Sequence, residues 1–531
     1  MDILKVKNDI ISGDTALGIE FGSTRIKAVL IGSDNTPIAS GAHEWENRLV
    51  DGIWTYTEED IIGGMQSCYA SLAKEIETKF GIVPTRFGSI GISAMMHGYM
   101  AFDENDNLLV PFRTWRNTIT AEASEELTEL FGFPIPQRWS IAHLYQCILA
   151  KEEHLTRLSH LTTLAGYIHY LLTGRRVLGI GEASGMFPVD SSELTYNIEM
   201  ADKFDKAAHQ HGFDKPIMSL LPEVLIAGEN AGTLSESGAK LLDISGNLKH
   251  GIPMCAPEGD AGTGMVATDS VSPRTGNVSA GTSVFAMVVL DKPLKKLHRQ
   301  IDMVTTPSGE AVAMVHCNNC TSELNAWAGL FREFTEAAGF EIDSAKLYEI
   351  LFKKALEGKK DCDGMIAYNY LSGEHITGFE EGRPLFARRP DAPLTLADFM
   401  RTQLYTSLGA LKAGLDILTK EEQVPIDRLT GHGGFFKTEK VGQTILAAAA
   451  NAPITVMSNA GEGGAWGMAL LAMYMNKKSG ETLGKWLKNN AFSNARSVTV
   501  EPDKDDAEGF DEFMKQYIGC LPVERSATQL L

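Results

Sequence analysis

The sequence predicts an α/β protein in two halves, each with its own sheet, on the basis of three observations. Runs of strand length alternate with longer stretches that have helical periodicity. A hairpin pattern, two apolar runs around a Gly-Ser-Thr tip, occurs at 16–31. A similar sequence, NVSAGTSVFAMVV, occurs at 277–289, close to half the chain later. Strands alternating with helices favour a mixed or parallel sheet in each half. We therefore expect an N-terminal domain at 1–270 and a C-terminal domain at 271–531.

In the first half, the hairpin at 16–31 is followed by a predicted helix at 60–80, whose apolar residues fall on one side. A buried strand at 87–93 ends just before Met96 and His97. This end of a strand is the usual position for ligand contacts in α/β sheets. Further helices are predicted at 121–130, 141–149 and 161–172, and a strand within 249–257 leads into the sequence PEGDAGTG.

In the second half, the hairpin near 276–290 is followed by predicted helices at 322–338, 395–418 and 439–450. The glycine-rich sequence GHGG, at 431–434, follows a strand and precedes a helix. A second glycine cluster, in the stretch 461–472, opens a strongly apolar helix. The tail after about Lys504 is acidic and then mixed, which predicts a surface helix and an extension.

Composition excludes several classes of partner. The net charge of −20 argues against nucleic acid and against an anionic membrane surface. The chain has neither a run of ~18 apolar residues, which a membrane span needs, nor an N-terminal apolar signal region. The seven scattered cysteines do not look like a disulfide framework, and the Cys317-x-x-Cys320 pair favours buried thiols over zinc. We expect a cytoplasmic protein; a homodimer is left open.

The tips of the two hairpins are candidates for phosphate binding. Glycine lets the backbone approach a ligand closely, and serine and threonine add hydroxyl groups. Two such tips can hold a polyphosphate from both sides, whereas the alternative is a pair of ordinary turns. The repetition at half-chain spacing, with Glu20 just before the first tip, favours phosphate. The chain contains no G-x-x-x-x-G-K-[ST] loop of the Walker type.

Asp260 is the candidate for acid–base chemistry. It lies between small residues directly after a predicted strand, where a carboxylate can accept a proton from a bound hydroxyl. A helix N-cap is the equally plausible alternative for this residue. The glycine cluster at 461–464 allows either a flat base to lie on the backbone or close packing of helices. Met96 and His97 are, on residue type alone, more often core residues than ligand contacts.

These pieces, in this order, resemble the FGGY carbohydrate kinases over about residues 16–475, and the xylulokinase group in particular. GIEFGSTRIKAVLI is similar to the first phosphate motif of the family, and SAMMHGYMAFDENDNLLVPFRTW to the substrate segment. APEGDAGTGM is similar to the approach to the catalytic aspartate, and SAGTS to the second phosphate motif. YLSGE looks like a family signature, and GEGGAWGMALLA like the adenosine motif.

The resemblance implies two RNase H-like domains of the actin-like ATPase type, with ATP and sugar in an interdomain catalytic cleft. It implies transfer of the γ-phosphate of Mg·ATP to a sugar hydroxyl, with Asp260 as general base. Glu20 stands where the family usually has aspartate, so Glu20 and Asp260 are the expected Mg²⁺ site. The expected sugar contacts are Met96, His97, Arg116 and Asp260. The expected ATP contacts are Gly22, Ser23, Thr24, Lys27, Gly281, Thr282, Ser283, Gly433, Gly434, Gly463, Gly464 and Ala465.

The sequence departs from the family pattern at positions that bear on the sugar. The W-N-D-x-R segment reads Trp115-Arg116-Asn117-Thr118-Ile119 here. Ala261 follows the expected base, where xylulokinases usually have asparagine and ribulokinases have alanine. The Met96-His97 pair favours D-xylulose, converted to D-xylulose 5-phosphate, while Ala261 keeps L-ribulose or another sugar or polyol open. A non-catalytic sugar sensor and a chaperone-like ATPase are the competing classes.

Overall fold

A computed structural model of the chain describes residues 2–458 and 463–531, and these residues form two compact units. The first unit is the described part of 1–271, 303–312 and 462–494. The second is the described part of 272–302, 313–461 and 495–531. Each unit contains a multi-stranded sheet with helices packed on it, so the predicted α/β class with two sheet-containing halves is confirmed.

The strands are short, and most belong to one of the two large sheets. In chain order they are β1 Ala16–Phe21, β2 Arg25–Ile31, β3 Pro37–Glu44, β4 Arg48–Val50, β5 Ile53–Thr55, β6 Ser89–Ala94, β7 Met100–Phe102, β8 His160–Thr162, β9 Val177–Gly179, β10 Val189–Asp190, β11 Thr195–Tyr196, β12 Glu223–Leu225, β13 Asn230–Thr233, β14 Pro253–Cys255, β15 Glu258–Gly259, β16 Thr275–Ala280, β17 Val284–Val289, β18 Asp302–Thr305, β19 Ala311–Cys317, β20 Met365–Tyr368, β21 Leu385–Arg388, β22 Arg428–His432, β23 Ile454–Met457 and β24 Ser497–Val500.

The helices range from single turns to the 23 residues of the helix that begins at Glu58. In chain order they are α1 Ile3–Ser12, α2 Glu58–Phe80, α3 Ala121–Phe131, α4 Ser140–Ala150, α5 Leu164–Thr173, α6 Ile180–Ala183, α7 Ile198–Gln210, α8 Ile217–Leu220, α9 Glu236–Leu242, α10 Asp260–Ala267, α11 Thr321–Ala337, α12 Ser344–Ala355, α13 Leu396–Ser407, α14 Gly409–Asp416, α15 Val441–Ala450, α16 Gly463–Tyr474, α17 Leu483–Trp486, α18 Lys504–Gly519 and α19 Leu521–Leu530.

Both predicted hairpins are present and occupy equivalent places in their sheets. The first sheet has the order β13-β14-β6-β1-β2-β3, and the second contains the order β19-β17-β16-β22-β23-β24. In the first sheet, β1 pairs antiparallel with β2 and parallel with β6. In the second, β16 pairs antiparallel with β17 and parallel with β22. Each hairpin tip therefore lies at the end of the sheet where the neighbouring parallel strand has its carboxyl end.

The tail forms helices α18 and α19, and α18 is a surface helix with one buried face. Phe510, Phe513 and Tyr517 are buried within the second unit. The ring of Phe510 stacks on Tyr405 with centroids 3.8 Å apart. These aromatic residues recur three or four positions apart, so they form one apolar face that covers the core. Most acidic residues of the helix face outward, but Asp506 is buried and pairs with Arg401 at 2.9 Å.

Other predicted elements differ in their bounds. The helix predicted at 395–418 is two helices, α13 and α14, which meet at Leu408. The helix predicted at 161–172 begins only at Leu164, because His160–Thr162 forms strand β8. Helix α1 was not predicted. Among the described residues, no helix is long and apolar enough to cross a membrane.

Candidate active site

Asp260 is held at the start of α10, beside the end of strand β6. Strand β15 pairs in parallel with β6, which sets Gly259 opposite Ala94. The backbone N–H of Met96 donates to Asp260 Oδ1 at 3.2 Å. Burial raises the pKa of Asp260 to about 6, and the Met96 amide opposes this shift. The side chain is therefore mostly a carboxylate at neutral pH, and it remains basic enough to accept a proton.

Glu20, on strand β1, is a second acid near Asp260. Its cross-strand neighbour on β2 is Lys27. Burial, followed by the negative charge of Asp260, raises the pKa of Glu20 to about 7. The backbone amide of Ala465 and the charge of Lys27 act in the opposite direction. The charge of Asp260 thus raises the proton affinity of Glu20, and the two carboxylates offer oxygen ligands of the kind Mg²⁺ prefers, so the donor set fits this ion.

The glycine cluster at the start of α16 packs closely on this acidic site. A Cβ atom on Gly464 would lie 2.8 Å from both Glu20 Oε2 and Thr263 Oγ1. One on Gly467 would lie 2.0 Å from the backbone oxygen of Thr263 in α10. Ala465 is buried, while Gly463 has a positive φ of 74° and open space around it. Gly461 and Glu462, from the same sequence motif, lie outside the described residues.

The first hairpin tip is a hydrogen-bonded turn, and aromatic side chains bind its backbone. The Gly22 N–H donates to the Arg25 carbonyl at 3.0 Å. The indole N–H of Trp45 donates to the Gly22 carbonyl at 2.7 Å, and the Tyr56 hydroxyl donates to the Ser23 carbonyl at 2.6 Å. The two rings stack with centroids 4.0 Å apart. These contacts fix the backbone of the tip and were not predicted, since neither aromatic residue belongs to a recognisable pattern.

The predicted sugar residues lie in two places within the first unit. Met96 contacts Asp260 through its backbone, as described above. His97 follows with a positive φ of 71°, and its Nδ1 lies 3.1 Å from the Gly185 carbonyl oxygen. The imidazole also stacks against Trp139 with centroids 6.1 Å apart. The guanidinium of Arg116 lies 3.9 Å from the ring centroid of Trp54.

Two further carboxyl groups beside Asp260 were missed by the sequence analysis. Glu258 accepts hydrogen bonds from the backbone N–H of Gly181 at 3.3 Å and of Glu182 at 2.9 Å. Burial raises the pKa of Glu258 to about 8. Glu182 is fully buried, and burial together with the charges of Glu258 and Asp260 raises its pKa well above the usual range. Of the two, only Glu258 could have been found from the sequence, because it lies two residues before Asp260.

In the second unit, the tip of hairpin β16–β17 is anchored to the start of α11. The Gly281 N–H donates to the Ser283 carbonyl at 2.9 Å. The Cys320 N–H donates to the Thr282 carbonyl at 2.9 Å, and the Thr321 hydroxyl donates to the Gly281 carbonyl at 2.7 Å. Gly433, with φ of 103°, packs so closely on β16 that its Cβ would lie 2.4 Å from the Ala280 oxygen.

A pocket of about 660 Å³ adjoins this second tip. Thr321 belongs both to the pocket wall and to the tip contact, and Gly434 is the member of the predicted ATP set that lines the pocket. The Tyr348 hydroxyl donates to Asn325 Oδ1 at 2.8 Å. The pocket is lined by Thr321, Leu324, Asn325, Ser344, Ala345, Tyr348, Glu349, Phe352, Lys353, Gly434, Phe435, Lys437, Thr438 and Glu439. Its volume and its aromatic and polar walls suit a nucleobase with its sugar.

The YLSGE sequence fixes the loop that leads to this tip. Glu374 Oε2 accepts hydrogen bonds from the backbone N–H of Asn318 at 3.0 Å and of Asn319 at 3.3 Å. Asn319 Oδ1 in turn accepts from the Leu371 N–H at 2.9 Å. The loop between β19 and α11 is therefore held by the signature sequence, which positions Thr321 below the tip.

Comparison with known proteins gives a consistent result over most of the chain. Residues 15–267 match the N-terminal domain of the FGGY family of carbohydrate kinases, and residues 276–476 match its C-terminal domain. A xylulose kinase from Haemophilus influenzae is 20% identical over 476 residues, which cover 87% of this chain and 90% of that protein.

Two solved structures have the same fold. A kinase from Brucella ovis, described as a xyloylose kinase, superposes with a TM-score of 0.77 at 18% identity, covering 97% of this chain and 100% of that one. A gluconate kinase from Lactobacillus acidophilus superposes with a TM-score of 0.78 at 18% identity, covering 96% and 98%. With both family domains present in order, the chain belongs to the FGGY family of carbohydrate kinases and is an ATP-dependent sugar kinase.

Proposed function

We propose that this chain phosphorylates a ketopentose, D-xylulose, to give D-xylulose 5-phosphate, with Mg·ATP as the phosphate donor. In this reaction the sugar hydroxyl oxygen forms a bond to the γ-phosphorus of ATP while the bond to the ADP oxygen breaks. Asp260 accepts the proton of the attacking hydroxyl. The observation that carries the proposal is the position of Asp260, held by the Met96 amide at the end of the segment that also carries His97.

The charge around Asp260 favours a neutral acceptor over an acid such as gluconate. Burial raises the pKa values of Glu20, Glu258 and Asp260, and Asp260 adds to the shift of Glu20. An anionic substrate would add a further negative charge to this low-dielectric region, which is costly. A ketose or polyol adds only hydroxyl groups, which can donate to Asp260, the member of this cluster that is mostly a carboxylate at neutral pH.

Glu20 and Asp260 are the residues that would hold Mg²⁺. The ion, when bound with ATP, neutralises developing charge on the phosphate oxygens. Lys27 lies opposite Glu20 and supplies positive charge on the same side of the hairpin. Ser23 and Thr24 would bind phosphate through backbone N–H and hydroxyl groups, and Gly22, whose N–H closes the turn on the Arg25 carbonyl, would let the phosphate approach the backbone closely.

In the second unit, Gly281, Thr282 and Ser283 would contact phosphate, and the 660 Å³ pocket would take the adenosine end of ATP. Gly434 lines that pocket, and Gly433 supports the tip from behind. We retain Gly463, Gly464 and Ala465 as a proposed part of the ATP site, on family resemblance. The domain division at 270/271, the cytoplasmic location, the homodimer and the lack of nucleic-acid or membrane partners likewise remain predictions.

The test is a panel of acceptors, D-xylulose, L-ribulose, D-gluconate and glycerol, each incubated with Mg·ATP. We expect ADP to form fastest with D-xylulose and the mass of that product to increase by one phosphate. Faster turnover of L-ribulose would support the alternative that Ala261 suggests. Preference for gluconate would contradict the charge argument, and ADP formation independent of every acceptor would contradict a sugar kinase.

A further inference from the structure

Three aromatic side chains hold the first hairpin tip, but they do not all bind it in the same way. Trp45 and Tyr56 donate to backbone carbonyl groups, as described above. Trp115 instead donates its indole N–H to the side-chain oxygen of Ser23, at 3.1 Å. Ser23 is one of the residues proposed to bind phosphate, whereas Trp115 comes from the segment proposed to bind the sugar.

The direction of this hydrogen bond determines how the Ser23 hydroxyl is oriented. An indole N–H can donate but cannot accept, so Ser23 Oγ must be the acceptor. The hydroxyl hydrogen then points away from Trp115 and is available to donate to another group. Without Trp115 the hydroxyl can rotate freely, and it can equally well accept from water or from a neighbouring N–H group.

The segment that carries Trp115 is held to strand β5 by hydrogen bonds. The side chain of Asn117 accepts from the Trp54 N–H at 2.9 Å and donates to the Trp54 carbonyl at 2.9 Å. Between these residues, the guanidinium of Arg116 rests on the Trp54 ring. On the other side of Arg116, the Thr114 N–H donates to the Trp54 carbonyl at 3.1 Å. The segment 114–117 is therefore tied to β5 at both ends, and the indole is presented to Ser23 from a fixed backbone.

We infer that Trp115 is a positioning residue for phosphoryl transfer. It orients the Ser23 hydroxyl to donate to a phosphate oxygen of ATP, and it links the segment that binds the sugar to the tip that binds the phosphate. The inference rests on the proposed function, because it requires Ser23 to contact phosphate. It adds that the contribution of Trp115 is made through Ser23 alone.

A double-mutant cycle tests this dependence. Trp115→Phe keeps an aromatic ring but removes the N–H group, and Ser23→Ala removes the hydroxyl. Each single variant should lower kcat/KM for ATP by about two- to tenfold, the range expected for one hydrogen bond. The double variant should be no worse than Ser23→Ala. The same cycle is run on the Kd of a non-hydrolysable ATP analogue with Mg²⁺, measured by calorimetry, which does not require the sugar to be known.

Trp45→Phe is the matched control, because it makes the same change at the same tip. The Trp45 N–H group donates to a backbone carbonyl, which Ser23→Ala leaves in place. The fold-losses of kcat/KM from Trp45→Phe and from Ser23→Ala should therefore multiply. Melting temperatures identify any variant that does not fold; Trp115→Leu then replaces Trp115→Phe, since leucine is also apolar and has no hydrogen-bond donor.

The outcomes separate this inference from the proposed function. If Trp115→Phe still lowers the rate and the analogue affinity in the Ser23→Ala background, Trp115 acts independently of Ser23 and the inference is wrong. If Trp115→Phe has no effect in the wild-type background, the inference is also wrong, while the kinase assignment stands. If the wild-type chain binds no ATP analogue and phosphorylates no acceptor, the proposed function fails and the inference fails with it.

Discussion

At the scale of the residue, Asp260 carries most of the predicted chemistry. Phosphoryl transfer needs a hydroxyl aimed at the γ-phosphorus, with little covalent work by the protein. Asp260→Asn keeps the shape of the side chain but removes the basic oxygen, so kcat should fall by about 10²–10⁴ while the KM of the sugar changes little. A coupled ADP assay measures both constants, and circular dichroism checks the fold. Near-normal turnover in a folded variant would remove Asp260 from the mechanism.

The pKa of Asp260 also predicts how the rate depends on pH. Because burial raises this pKa to about 6, the basic form is lost as pH falls through about 6. Since kcat/KM reports the titrating groups of the free enzyme, kcat/KM for the sugar should therefore decline on the acid side with a midpoint near that value. The residual activity of Asp260→Asn should lack this acid limb. An identical limb in the variant would assign the titration to another group.

Glu20 should give a different kind of defect from Asp260. Its proposed role is to hold Mg²⁺, and Glu20→Gln keeps one oxygen but removes the charge that attracts the ion. We expect the loss of activity in Glu20→Gln to diminish as the Mg²⁺ concentration is raised, by mass action. The Asp260→Asn defect should remain large at saturating Mg²⁺, because more of the ion restores metal binding but not the lost base. Mg²⁺ titrations of kcat for the two variants provide the measurement, and equal responses would argue against separate roles.

At the scale of the element, the contact between α16 and α10 depends on a missing side chain. A Cβ on Gly467 would lie 2.0 Å from the Thr263 carbonyl oxygen, so Gly467→Ala should push the helices apart and cost about 1–3 kcal/mol of stability. Gly63 is the matched control: it lies on the exposed side of α2 with nothing within 4 Å of its Cβ position. Gly63→Ala should stabilise slightly, because alanine is the better helix former. Thermal unfolding of both variants compares the two, and similar effects would refute the packing argument.

Periodicity and turn residues were sufficient to predict the two hairpins and the strand that leads toward Asp260. Helix α10, which begins at Asp260, was not predicted, because its short glycine-rich sequence has no clear helical periodicity. The anchoring of the first hairpin tip by Trp45, Tyr56 and Trp115 could not be predicted, because it joins residues that are distant in sequence and share no spacing. The base pocket was missed for the same reason, since its walls come from helices whose exposed faces look ordinary in sequence.

At the scale of the whole molecule, the two units contain related hairpins with different surroundings. The first hairpin adjoins two acids, Glu20 and Asp260, and the Met96-His97 segment. The second adjoins a pocket with aromatic walls and, through Thr321, the start of α11. Under the proposed function, the two tips bind phosphate, the acids of the first unit supply the general base, and the pocket of the second unit takes the nucleobase. The proposed reaction requires both, and it assigns the sugar to the first unit and the base of ATP to the second.

Separate binding of sugar and base by the two units predicts that one variant changes only the KM of ATP and another only the KM of the sugar. Tyr348→Ala removes an aromatic wall of the base pocket, so the KM of ATP should rise by about tenfold, the effect of losing one stacking contact of about 1–3 kcal/mol. The KM of the sugar should be unchanged.

His97→Ala removes an imidazole from the sugar segment, so the KM of the sugar should rise and that of ATP should stay within about twofold, because a single lost hydrogen bond affects only the ligand that made it. Both constants are measured for both variants in one coupled assay, with melting temperatures as the check on folding. If His97→Ala changes neither constant, His97 is a core residue that supports Gly185, and if each variant raises both constants equally, the two ligands are not bound by separate units.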